Sequence, residues 1–130
     1  MVFSTFATDC FALESQYQLL LNGKKFTTTE PIFEQNEEVF LSVKDTTRLI
    51  NDNYEIRQNK TDRSVIIITN GQYSYFKEGR MYGILCNKTV RLKESPFMEN
   101  GELYLPASVC AKITGYFFIK SKSYLQFFKW

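Results

Sequence analysis

The sequence predicts an α+β fold: antiparallel strands with two short helices, laid out as two hairpin–helix–hairpin pseudo-repeats. Three observations point there. Asn-Gly dipeptides at Asn22-Gly23, Asn70-Gly71 and Asn100-Gly101 interrupt runs of apolar and β-branched residues, which is the local chemistry of tight hairpins. Only two stretches, opening at Ser42 and Pro106, switch to helical spacing, and each is too short to hold without a sheet beneath it. Finally, the order of turn, strand and helix marks in "EPIFEQNEEVFLSVKDTTRLIN" (30–51) returns in "ESPFMENGELYLPASVCAKITG" (94–115).

The elements follow in chain order. "YQLLLNGKKF" reads as a hairpin around Asn22-Gly23, and "FTTTEPIF" as β-branched chain with Pro31 at a strand edge or turn. After the polar "EQNEE", "VFLS" is a short strand. Ser42 through Asp45 then has capping-box spacing, with Asp in the place of Glu, and Val43, Thr47 and Ile50 recur at helical spacing up to a stop at Asn51. "YEIR" and "RSVIIIT" are strands around the turn "QNKTD", and Asn70-Gly71 opens a hairpin into "QYSYFKEG". From there the landmarks restart. Asn87 follows Asn22 by 65 positions, and "ELYLPASVCAKIT" follows "EVFLSVKDTTRLI" by 64. Pro106 suits a first helical position, Val109, Cys110 and Ile113 form an apolar stripe, and Gly115 ends the helix. "YFFIK" and "SYLQFF" close the second unit as a hairpin. Residues 16–130 therefore form a single domain of two pseudo-repeats, about 17–69 and 82–129, joined by the hairpin 70–81.

Composition bounds the chemistry. A chain of 130 residues, 44% apolar and 23% charged, fits one domain with a real core. The net charge of +2 does not mark a polyanion partner, and no run reaches the ~18 apolar residues of a membrane span. There is no histidine, which removes the usual neutral-pH acid/base group and the commonest transition-metal ligand. Cys10, Cys86 and Cys110 form no CxxC pair; buried free thiols are the favoured reading, with a Cys86–Cys110 disulfide as the alternative in an exported protein. Residues 1–15, "MVFSTFATDCFALES", carry two readings: the remnant of a secretory leader ending at Ala12, or an N-terminal arm packed on the domain. Asp9 speaks against the leader.

The landmarks resemble the copper amine oxidase N-terminal-like domain, a bacterial family. The resemblance rests on Leu21-Asn22-Gly23-Lys24, Pro96, Asn100-Gly101-Glu102-Leu103-Tyr104-Leu105-Pro106 and the run to Gly115, and it covers roughly residues 16–129. Departures are Lys44 and Ser108 where the family places Arg, Ser42 where the first copy would carry Pro, and no Trp after either helix, where Arg57 and Lys120 stand nearby. The resemblance implies a non-catalytic module whose copper-binding histidines and cofactor tyrosine belong to a separate domain. It also implies an exported setting, secreted or in the cell envelope of a Gram-positive-type bacterium, beside wall hydrolases or surface-layer modules.

Candidate chemistry is sparse. A nucleophilic Cys86 or Cys110 would lack a histidine base. Glu34, Glu37, Glu38, Glu99 and Glu102 fall in the two equivalent turns before the helices, where solvated turn charge outweighs paired-carboxylate catalysis or calcium binding. The aromatics, twelve Phe, eight Tyr and one Trp, exceed what a core needs. The candidate binding surface is Tyr116, Phe118, Tyr124, Phe128 and Trp130 with Lys120 and Lys122 interleaved, plus Tyr73 and Tyr75 on the connecting hairpin. The expectation is a non-enzymatic, extracytoplasmic binding module without cofactor or metal, whose partner is a protein or cell-wall polysaccharide, with an edge-strand dimer open. The alternative is a nucleic-acid-binding domain stacking bases on the C-terminal Lys/aromatic hairpin, cytoplasmic if residues 1–15 are structural.

Overall fold

In a computed structural model of the chain, residues 13–50 and 53–129 are described. Strand β1 (Leu13–Ser15) leads into the hairpin β2 (Gln18–Leu21) and β3 (Lys24–Phe26). Its turn, Asn22-Gly23, has φ of 52° and 83°; both central residues take the left-handed region that Asn and Gly tolerate best. β4 (Ile32–Gln35) and β5 (Glu38–Ser42) form a second two-residue hairpin whose turn, Asn36-Glu37, adopts the same backbone sign without a glycine. Helix α1 (Val43–Arg48) follows directly. β6 (Tyr54–Asn59), β7 (Ser64–Thr69) and β8 (Gln72–Lys77) form a meander, and β9 (Tyr82–Leu85) and β10 (Lys88–Arg91) turn at Cys86-Asn87. β11 (Phe97–Glu99) and β12 (Glu102–Pro106) turn at Asn100-Gly101; α2 (Ala107–Thr114), β13 (Phe117–Lys120) and β14 (Tyr124–Phe128) complete the order.

The strands assemble into three sheets, β1-β4-β5-β12-β11, β10-β9-β8-β7-β6 and β13-β14-β2-β3. With two helices and mostly antiparallel pairing, the fold is α+β, as expected. One pair departs from the antiparallel expectation: β14 lies parallel to β2, with Leu125 opposite Leu19 and Phe127 opposite Leu21. Local turn chemistry cannot signal a pairing between strands so far apart in the chain. It forms because Leu19, Leu125 and Phe127 all bury against the same core. The segment 70–81 is more than a connector, since β8 pairs along its whole length with β7 and joins β9.

The core lies between the helices and the sheets. Val43 and Leu49 of the α1 region and Val109, Cys110 and Ile113 of α2 pack with Leu41, Leu103, Leu105, Val65, Ile67, Phe76, Leu125 and Phe127. The α2 stripe is the expected one, and Gly115 caps it at φ 85°. Pro106 sits one position earlier than expected, as the residue preceding the first helical turn. In α1 the buried stripe is Val43, Thr46 and Leu49 instead of Val43, Thr47 and Ile50. The helix stops at Arg48, so its single useful face is set by the contact with α2, where the Thr46 hydroxyl donates to Cys110 Sγ at 3.0 Å.

β5 and β12 meet at the middle of the first sheet, with Leu41 opposite Leu105, Phe40 opposite Pro106 and Ser42 opposite Tyr104. On the face away from the helices, Phe33, Phe40, Tyr104 and Phe97 form a second apolar cluster. Phe33 lies 5.0 Å from Tyr104 and Phe40 lies 4.9 Å from Phe97, both edge-on, while Phe97 stacks on Tyr104 at 5.2 Å. Edge-to-face rings at such distances add ~0.5–1.5 kcal/mol per pair beyond area burial.

Asp45 fastens α1 to the chain that enters β4. Its amide N–H donates to the Ser42 hydroxyl at 3.0 Å, which is the expected cap. Its carboxylate does more. It accepts from Thr29 N–H at 2.9 Å, Thr29 hydroxyl at 3.0 Å, Glu30 N–H at 3.0 Å and Arg48 at 2.8 Å. Burial by itself would raise this carboxyl's pKa; the Thr29 amide, Arg48 and the Glu30 amide outweigh it and hold it below the usual carboxylate value.

Candidate binding surface

Alternation along the third sheet sends Leu19, Leu125 and Phe127 inward, so their neighbours face out. The register then fixes which outward residues meet. Phe117 stands opposite Phe128, Ile119 opposite Gln126, Gln126 opposite Leu20, and Leu20 opposite Lys25; at the other end Tyr124 stands opposite Gln18. Phe117 and Ile119 are each 51% exposed and Tyr124 45%. Phe117 stacks on Phe128 with ring centres 5.7 Å apart and planes 26° apart. The outward side of a four-stranded sheet thus carries two stacked rings, a third ring, two aliphatic side chains and two glutamines.

This arrangement unites Tyr124 and Phe128 of the expected surface and places Tyr116 and Phe118 on the core side. Tyr116 is buried at 5% exposure in the main core, edge-on to Phe127 at 6.4 Å. Phe118 is half-buried against the same core, 5.1 Å from Phe127. The physical reason is a one-residue phase. Phe117, not Phe118, is the register partner of Phe128, so the odd-numbered residues of β13 face solvent and the even ones face the core side. Phe117 and Ile119 are therefore the members that sequence reasoning missed; pairing "FFI" against "QFF" apolar-to-core would have found them.

Lys120, interleaved with aromatics in sequence, is separated from them in space. Its ammonium reaches Glu34 at 3.3 Å and the Glu37 carbonyl at 2.7 Å. Burial works against its charge, but Glu34 and Tyr17 overcome that and raise its pKa. Lys122 is exposed in the β13–β14 turn. Trp130 lies outside the described residues, as do Asn51, Cys10 and residues 1–12 of the segment read as leader or arm; residues 13–15 of that segment form β1.

Tyr73 and Tyr75 are on a different sheet. Tyr75 is opposite Ile66 on one side and Ile84 on the other, and Tyr73 is opposite Ile68. They and the exposed Tyr82, which lies under Arg91 at 5.7 Å, form a second outward surface.

The residues weighed for catalysis are held in structural roles. Cys110 is fully buried, and burial pushes its thiol pKa up to about 12, far from a reactive thiolate. Cys86 and Cys110 are both free, so the alternative disulfide is not made. Cys86 occupies a tight turn with φ 50° and is only half-buried, short of the buried thiol expected. Glu34 is taken up by Lys120 and Tyr17. Glu38 is half-buried, which raises its pKa against the pull of Lys93 and Lys120. Among the described residues no three His, Cys, Asp or Glu side chains gather as a metal set.

A family model for the copper amine oxidase N-terminal domain matches residues 20–123. The chain belongs to this family. Neither the curated proteins nor the solved structures include a match. Within the copper amine oxidase N-terminal domain frame, the Asn100-Gly101 turn, Pro106 before α2 and the left-handed Gly115 are scaffold positions. Lys44 and Ser108 are exposed on the two helices. No helix among the described residues is long and apolar enough to cross a membrane.

Proposed function

We propose that this copper amine oxidase N-terminal domain is a non-catalytic, extracytoplasmic binding module, and that the outward side of the β13-β14-β2-β3 sheet takes a cell-wall glycan. The observation that carries the reading is the combination on one sheet of half-exposed rings with amide side chains beside them. Sugar rings stack their apolar faces on aromatics such as Tyr124 and the Phe117–Phe128 pair, and Gln18 and Gln126 are placed to serve the hydroxyls. Nucleic-acid binding is less well served, because Lys120 is turned to Glu34 and away from the rings. Membership of a family named for an appended domain supports the non-catalytic part of the reading.

The two halves arose, in this reading, by duplication about a local two-fold axis. The support is that residues in matching positions of the two stretches meet one another: Leu41 with Leu105, Thr46 with Cys110, and Phe33 with Phe97 at 5.8 Å.

The test is co-sedimentation of the full chain with purified peptidoglycan sacculi. Binding that falls at least roughly tenfold in Tyr124→Ala and in Phe117→Ala, with unchanged thermal melts, supports the assignment. Wild-type protein that stays in the supernatant, or variants that bind as well as wild type, refute it.

A further inference from the structure

Each sheet edge among the described residues is defended except one. The edge strands are β1, β11, β10, β6, β13 and β3. β3 carries Lys24 and Lys25, β10 carries Lys88 and Arg91, and β6 carries Glu55 and Arg57 as an ion pair. β1 and β11 are three residues long and contain Glu14 and Glu99. Charge and brevity are the usual means by which an edge avoids pairing with another chain. β13 has neither protection. Its one charge, Lys120, is drawn back to Glu34 and the Glu37 carbonyl, and its outward residues, Phe117 and Ile119, are half exposed.

We propose that two copies of the chain pair edge to edge through β13, antiparallel, with the two-fold axis at Phe118. An unprotected edge calls for a strand, and β13 is complementary to itself in one register. Centred on Phe118, each Phe117 lies opposite Ile119 of the second copy, an aromatic–β-branched pair on the outward side. A slip of one residue would set outward residues of one copy against inward residues of the other. A slip of two would put Phe118 against Lys120 of the second copy. In the Phe118 register the two Lys120 positions are four residues apart along the ladder, roughly 14 Å at ~3.4 Å per residue, beyond the ~8 Å screening length. Charge therefore does not oppose the pairing. The dimer has an eight-stranded sheet whose outward aromatic surfaces run side by side, independently of what they bind.

Sedimentation equilibrium of the full chain at tens of micromolar tests this. The expected mass is twice the 15.3 kDa of one chain. Ile119→Lys, at a half-exposed position, should weaken association by roughly tenfold or more, while Glu55→Lys on the β6 edge should leave it unchanged. Amide hydrogen exchange of wild-type protein is the second readout: β13 amides should slow as concentration rises, a measurement that stands even if Ile119→Lys fails to fold. A monomer throughout, a dimer indifferent to Ile119→Lys, or β13 exchange independent of concentration overturns the proposal. Loss of sacculus binding in Tyr124→Ala without change in mass, or the reverse, separates this proposal from the glycan reading.

Discussion

Replacing Asp45 by Ala should remove a large share of the domain's stability. The carboxylate is 1% exposed and satisfies two backbone amides, those of Thr29 and Glu30, that have no place in a ladder. Hydrogen bonds to a charged group are worth ~1.5–3 kcal/mol each. Arg48 contributes less, because it is more exposed and keeps the Thr27 carbonyl at 3.0 Å and the Phe26 ring at 4.6 Å. The expected loss is ~3–4 kcal/mol for Asp45→Ala, and about half that for Asp45→Asn, which keeps one acceptor oxygen. Urea unfolding reads it as a fall in midpoint of roughly 2 M, for a slope near ~1.5 kcal/mol/M. The pH dependence has a definite sign. The folded-state pKa is depressed, so the stabilisation is complete above the unfolded value near ~3.9 and drains as pH falls through the folded value. The gap between wild type and Asp45→Asn should therefore narrow below about pH 4. A loss under ~1 kcal/mol at pH 7, or a gap that does not narrow in acid, would refute the clamp.

Gly83→Ala should destabilise by ~1–3 kcal/mol in thermal or urea melts, because a Cβ there would lie 2.5 Å from Phe76 Cδ1 and 2.8 Å from the Tyr75 carbonyl oxygen, in packed core. Phe40→Ala, which opens a hole among the Phe33, Phe97 and Tyr104 rings, should cost ~3–5 kcal/mol in the same melts. Under native conditions at pH 8, alkylation followed by peptide mapping should leave Cys110 unmodified, and full labelling should need denaturant. Tyr104→Phe should cost ~1 kcal/mol, since its hydroxyl donates to the Pro31 carbonyl at 3.0 Å.

Several of these features were legible in the sequence for local reasons. Asn-Gly turns, the Ser42 cap, the α2 stripe and Gly115 all act within a few residues, so spacing reveals them. The Asn36-Glu37 and Cys86-Asn87 turns were harder, because neither pairs Asn with Gly and their left-handed backbone is imposed by the ladders on either side. Asp45 was readable as a weak cap partner, but its reach to Thr29 depends on how the chain returns before β4. The candidate surface was half legible: alternation in "YLQFF" puts Tyr124 and Phe128 on the face opposite Leu125 and Phe127, whereas the phase of β13 depended on a cross-strand register that no local signal sets. The four-ring cluster left a trace in the sequence, since Phe33 and Phe97, and Phe40 and Tyr104, hold matching places in the two stretches.

The parallel pairing of β14 with β2 sets a time order on folding. Tyr124 must find Gln18, and the Lys129 amide must find the Asn22 side chain across 107 positions. Closing a loop of about 100 residues costs roughly 4 kcal/mol of chain entropy before those contacts form. On a ribosome, β2 and β3 emerge about 100 residues before β14 and wait with one edge open until it follows. The β2–β3 hairpin is thus secured long after it is made, and the nascent chain is most exposed to wrong pairing just before β14 arrives.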